Sequence, residues 1–242
     1  MPNLTRNMHY DFKTKLNRLD SQKYRGMRVP QIDWKLNEAQ DILIQSITNP
    51  RYAQSYGFEG NQRIIDDIRT IVVNGFEILA ASASDGTYRA QLPIGVPTNE
   101  YLHHISSYAS CTKGTCSGII RTTQIQHDDK AQESPFDKSS FEWEQVNIKI
   151  VNKDIILYTD GTFKIEKIFL DFVRKPLFFH TAIDASTTGY TLPDGTTTLT
   201  NYQNCELPEI LHKEIVDLAV LITTGDLIPD YQVKQSKLQL TN

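Results

Sequence analysis

Cysteine is scarce in this chain. Cys111, Cys116 and Cys205 are its three cysteines, an odd number and too few for a disulfide framework, which points to synthesis in a reducing cytoplasm. Long apolar runs are missing as well. No stretch approaches the roughly 18 to 20 residues of a membrane helix, and residues 1–30 lack the apolar core of a signal peptide. Neither a membrane partner nor secretion by that route is expected. A strong charge of one sign is also absent, with 25 Lys and Arg against 29 Asp and Glu. The chain as a whole is not an electrostatic nucleic-acid binder. The local signatures of common enzymes are missing too: no GK[ST] phosphate loop, no G-x-S-x-G elbow and no H-E-x-x-H pair. No catalytic residues, metal or cofactor are expected.

What is present is a length of 242 residues with 39% hydrophobic content, enough for one sizeable core or two small ones. Phe12, Leu16 and Leu19 recur at helical spacing. Ile32, Leu36, Ala39, Leu43 and Ile47 give a clearer stripe, opened by Pro30 in the first turn and predicted to stop near Asn49-Pro50. A shorter helix is predicted over Asn61 to Thr70. After Gly75 the period shifts toward two. Phe76–Ala81 and Thr87–Leu92 flank a hairpin signal, as do Tyr101–Cys111 and Cys116–His127. Residues 142–151 and 154–159 suggest two more strands around Asn152-Lys153. In the long strand Thr162–Arg174 the alternation slips by one at Glu166-Lys167, as a β-bulge would produce. Residues 181–205 read as a loop with a small hairpin at Pro193-Asp194-Gly195. Leu211, Ile215, Leu218 and Ile222 mark a last helix, with Gly225 suited to its C-terminal cap.

The expected class is α+β: a helical domain formed by the N- and C-terminal helices, carrying an inserted antiparallel β-sheet. The expected segments are 1–74 helical, 75–205 the inserted β region, 206–225 the closing helix and 226–242 an extended polar tail.

Three features invite a functional reading. His127, Asp128 and Asp129 stand together, with His103 and His104 on the partner strand. Neighbours on a strand face opposite ways, so they do not converge on one ion unless the backbone turns; a strand exit turned by its Asp residues is the default. Cys111 and Cys116 flank a tight turn, and both a disulfide and two free thiols remain open. Residues 1–30 carry seven Lys and Arg against two Asp, either a solvated helix face or a surface for an acidic neighbour or the nucleic-acid backbone, with Lys13, Lys15 and Arg18 at its centre.

The order of motifs is more telling than any one of them. "VPQIDWKLNEAQDI", "NQRIIDDIRTIV", "SSYAS", "QHDD", "SPFDKSSFEWE", "YTDGTFKIEKIFLDFVRKP" and "CELPEILHKEIVDLAV" follow in succession from about residue 10 to 225. This succession resembles the ring or adaptor-type head–tail connector proteins of tailed bacteriophages, in particular of the crAss-like phages. The resemblance implies a virion structural protein, made in the bacterial cytoplasm, without enzymatic activity. It implies assembly with copies of itself into a ring, commonly twelvefold, stacked on the portal or another ring, with DNA passing through without sequence-specific contact. On that basis Pro135 and Phe136 anchor a loop that contributes to a subunit contact, and the tail residues Tyr231, Val233, Leu238 and Leu240 order on neighbours. The alternatives are a glycan-binding or host-binding tail component, which needs an exposed aromatic patch, and a metal-dependent hydrolase using His127 and Asp128.

Overall fold

Arg28 and Gln31 show how the clearest helix begins. The Gln31 side chain accepts the Arg28 backbone N–H at 2.9 Å, the returning half of a capping box. Helix α2 then runs Val29–Thr48, and its expected stop at Asn49-Pro50 lies outside the described residues. The computed structural model describes residues 4–19, 27–48, 66–96, 98–125 and 136–227. They divide into two units, residues 71–175 and residues 1–70 with 176–242.

In the first of these, eight strands form one sheet: β1 Val72–Leu79, β2 Ala81–Ser82, β3 Tyr88–Gln91, β4 Tyr101–Lys113, β5 Cys116–Gln124, β6 Val146–Val151, β7 Asp154–Leu157 and β8 Lys164–Arg174. Their order is β1-β8-β4-β5-β6-β7-β3-β2. The long strands β4 and β8 pair antiparallel at its centre. Ser110 faces Lys167 while Cys111 faces Ile165, so Glu166 is the extra residue of a bulge, where the sequence alternation slips. Two left-handed residues make the tight turns, Gly114 at φ 61 between β4 and β5 and Asn152 at φ 55 between β6 and β7. The inner face carries the core, including Ala109, Cys111, Ile120, Ile148, Ile155, Leu157, Ile168, Leu170 and Phe172. Each large apolar side chain buried there contributes about 1.5–3 kcal/mol.

In the second unit, α1 (Leu4–Leu19) buries Met8, Phe12 and Leu16. The last helix runs Glu209–Leu227 and buries Leu211, Ile215, Val216 and Ala219. Gly225 therefore lies inside this helix rather than past its end. Both α1 and α2 pack against it. The segment before it is more ordered than a loop. Strand β9 (His180–Thr181) pairs with β12 (Tyr202–Gln203), and β10 (Tyr190–Thr191) pairs with β11 (Thr198–Leu199). A short helix, α3 (Ala182–Ala185), follows β9, which makes the Glu209–Leu227 helix α4. Gly189 is required where it stands, since a Cβ there would lie 1.8 Å from the Leu199 carbonyl oxygen.

The expected helical domain with an inserted antiparallel sheet is not what forms. The dominant element is a curled, mixed eight-stranded sheet, a half-barrel. It is mixed because β5 and β6 run parallel, Thr122 facing Val146. The connection between them spans residues 125–145, long enough for the crossover that parallel strands require. Side-chain alternation reports which face a residue occupies but not strand direction, so the sequence pattern carried no sign of this. The helices do not make a purely helical domain either, since β9–β12 lie in the same unit. The first expected hairpin is likewise revised. Only Ala81 and Ser82 pair with β3, while the body of the first strand pairs with β8.

Candidate functional site

Helix α2 buries a polar stripe beside its apolar one. Asp33, Asn37 and Gln40 recur at i, i+4, i+7 and are all buried, where unpaired polar groups are costly. Each has a partner. Asp33 Oδ1 accepts a hydrogen bond from His9 Nε2 at 2.6 Å, Oδ2 accepts the Tyr190 hydroxyl at 2.7 Å, and the Thr181 N–H lies 3.3 Å from both oxygens. Asn37 reads the backbone of Phe179 in both directions, donating to its carbonyl at 2.7 Å and accepting its N–H at 3.1 Å. The Gln40 carbonyl accepts the Cys205 thiol at 3.2 Å. Burial and the Asp33 carboxylate push the Tyr190 hydroxyl well above the usual tyrosine range. Burial pushes the Cys205 thiol up to about 12 and lowers the His180 imidazole, against the pull of Asp33. The stripe fixes segment 177–205 onto α2.

Beside it lies a cavity of about 510 Å³, lined by Met27, Pro30, Trp34, Leu192, Pro193, Tyr190 and Thr223 among others. The Tyr190 hydroxyl is committed to Asp33, Gln31 to the Arg28 backbone, and Lys35 pairs with Glu38 at 2.8 Å. Among the described residues the walls of the cavity are mostly apolar.

The sheet holds a second cluster that resembles a nucleophile with its base. His104 Nε2 lies 3.0 Å from Ser107 Oγ, and Ser107 also bonds Thr122. Acyl transfer needs an accessible nucleophile, and Ser107 is only 1% exposed. Asp171, which would complete a triad, instead accepts the Gly75 N–H at 2.7 Å and the Ser106 hydroxyl. Burial lowers the His104 imidazole. These groups pin the bulges of β4 and β1.

The most exposed large hydrophobic side chains among the described residues lie elsewhere. Phe136 is 88% and Trp143 79% exposed, both on the turn before β6. Hydrogen bonds tie that turn from Asp137 onward. Ser140 and Gln145 exchange backbone hydrogen bonds, the Asn147 N–H donates to Ser139 Oγ at 3.0 Å, and the Asn147 side chain donates to the Asp137 carbonyl at 2.6 Å. Phe141 turns inward and packs on Phe163. Among the described residues these two large apolar rings stand in solvent.

Of the residues singled out in the sequence, Lys13 is exposed on α1, while Lys15 pairs with Asp217 of α4 at 2.5 Å. Arg6 pairs with Asp184 of α3 at 3.2 Å, so acidic partners within the chain take part of the basic charge of α1. The side chain of Arg18, and residues His127, Asp128, Asp129, Pro135, Tyr231, Val233, Leu238 and Leu240, lie outside the described residues. Cys111 is a buried free thiol and Cys116 an exposed one. Burial, aided by the Glu166 carboxylate, pushes the Cys111 thiol up to about 12. Among the described residues no three His, Cys, Asp or Glu side chains are grouped to hold a metal, and no helix is long and apolar enough to cross a membrane. Sequence reasoning missed Asp33, Asn37 and Gln40, although their 4, 3 spacing next to an apolar stripe was a usable signal. Comparison with protein-family models and with curated proteins finds no match to this chain.

Proposed function

We propose that this chain is a structural protein of a tailed-phage virion. It assembles with copies of itself into a ring of the head–tail connector, and DNA passes through the opening without sequence-specific contact. The observation that carries this reading is the exposure of Phe136 and Trp143 beside a hydrogen-bonded turn. The turn lies in the "SPFDKSSFEWE" segment, which together with "QHDD" and the "LPEILHKEIVDLAV" helix carries most of the resemblance to connector proteins. Two exposed rings on a hydrogen-bonded turn lose little entropy on docking and suit the anchor of a subunit contact. The buried polar groups support the same reading, because the Asp33, Asn37 and Gln40 partners serve the fold rather than a substrate. A ring requires one surface of each subunit to meet a different surface of the next.

The test is assembly of the full chain with the portal ring of the same phage, followed by light scattering and negative-stain imaging. The wild-type chain is expected to add a ring layer. The F136S/W143S variant is expected to keep the wild-type thermal midpoint and remain unassembled. A variant that assembles like the wild type would remove the turn from the contact. A wild-type chain that ignores the portal and forms no ring would overturn the reading.

A further inference from the structure

One wall of the cavity beside α2 leads directly out of the last helix. Thr223 of α4 lines it, with Met27 and Trp34 from around the start of α2 and Tyr190, Leu192 and Pro193 of the β10–β11 hairpin. The Tyr190 hydroxyl bonds Asp33 at 2.7 Å, and the Thr223 hydroxyl donates to the Ala219 carbonyl at 2.8 Å. What both residues offer the cavity is therefore carbon surface. Trp34 is 49% exposed there, a large ring whose cover by apolar side chains is favourable.

We propose that the segment following α4 covers this cavity in its own chain, turning at Pro229-Asp230 and seating Tyr231 and Val233 against Trp34 and Leu192. The reach fits. Helix α4 is described to Leu227, four residues and about 6 Å along the axis beyond Thr223. Proline at position 229 cannot continue a helix, and Pro-Asp is turn chemistry. From Asp230 to Val233 an extended chain covers about 10 Å, enough to return level with Thr223. The pattern fits as well. Tyr231 and Val233 are two residues apart, so an extended segment places both on one face and Gln232 and Lys234 on the other. A cavity of about 510 Å³ has the volume of an ordinary binding pocket, roughly 300–1,000 Å³. Connectivity selects the occupant. A short tether makes the docking intramolecular, with an effective concentration on the order of millimolar, so the chain's own segment outcompetes that of another copy. The connector resemblance implied a neighbour as the host of Tyr231 and Val233; tethering favours their own cavity. The inference does not rest on the ring reading.

The test uses the full chain carrying Trp143→Phe, which leaves Trp34 as its single tryptophan. Adding Tyr231→Asp/Val233→Asp should shift Trp34 emission to longer wavelength and increase its quenching by acrylamide, with an unchanged circular dichroism spectrum. Emission and quenching equal to the parent overturn the proposal. A cross-linking series identifies the host of the segment. On a Cys116→Ser background, Leu192→Cys/Val233→Cys treated with a short bis-maleimide should give a 192–233 link at one chain mass, 27.6 kDa, in a yield independent of dilution. Neither single cysteine variant should give it. A link between two chains, rising in yield with concentration, would overturn docking in the same chain and place the segment on a neighbour. Absence of any link would overturn the docking itself. The internal link supports the proposal whether or not the chain adds a ring to the portal, so the two readings fail separately.

Discussion

The Asp33 carboxylate bridges two side chains that are distant in sequence, His9 Nε2 at 2.6 Å and the Tyr190 hydroxyl at 2.7 Å. Through it α1, α2 and the β10–β11 hairpin become one cooperative unit. Removing the Asp33 carboxylate leaves its buried hydrogen-bond donors unpaired, at a cost of about 1–3 kcal/mol for each. Asp33→Ala should destabilise accordingly in urea denaturation, with an unchanged m-value. Tyr190→Phe removes one donor and should cost about 1–3 kcal/mol. If both variants match the wild-type midpoint, the bridge does not hold these elements together.

Asn37 acts on backbone rather than on a charge. Its amide satisfies both the N–H and the carbonyl of Phe179. Asn37→Leu keeps the size of the side chain and strands two buried backbone groups, each worth about 1–3 kcal/mol. Amide hydrogen exchange at Phe179 and Thr181 should accelerate strongly, while exchange in the β4–β8 pair stays as in the wild type. Uniform acceleration across both units would contradict the local role.

The buried thiols and Tyr190 set the alkaline limit. Cys111 and Cys205 are pushed up from 9.0 to about 12, and Tyr190 is raised above 10.0. A raised folded-state value means the fold favours the protonated form. That contribution is complete below the unfolded values and is lost as pH rises through the folded ones. Stability should therefore begin to fall near pH 9. Thiol labelling at pH 8 should modify Cys116 quickly and the other two only on unfolding. Rapid labelling of all three would contradict the burial of Cys111 and Cys205.

Histidines act in the opposite direction. Burial lowers His104, His180 and His212 below 6.5, so the fold favours their neutral forms. This stability is present above 6.5 and lost as pH falls through the lowered folded values. His212, whose Nε2 donates to the Leu207 carbonyl at 3.0 Å, should titrate by NMR below the unfolded value. A titration above 6.5 would reverse the sign.

The sequence pattern was legible where local rules dominate. Apolar spacing located α2 and α4, Asn152 marked the β6–β7 turn, and the slipped alternation at Glu166 located a bulge that the β4 register displays. Strand direction was not legible, because alternation is identical for parallel and antiparallel neighbours; the β5–β6 pair is the consequence. Nor were β9–β12. Strands of two residues have no period, and they exist because Asn37, Asp33 and the Glu206 carboxylate, which accepts the Leu177 N–H at 2.8 Å, hold the segment in place. At the candidate contact, "SPFDKSSFEWE" drew attention by resemblance, but the exposure of Phe136 and Trp143 depends on how Asn147 and Ser139 tie the turn.

The central claim is that this chain works by assembling into a ring. Negative-stain imaging of the purified full chain, alone and with the portal, tests it most directly. The account predicts closed rings with a central opening in at least the portal-bound sample. Particles without an opening, and portals that never gain a layer, would contradict it.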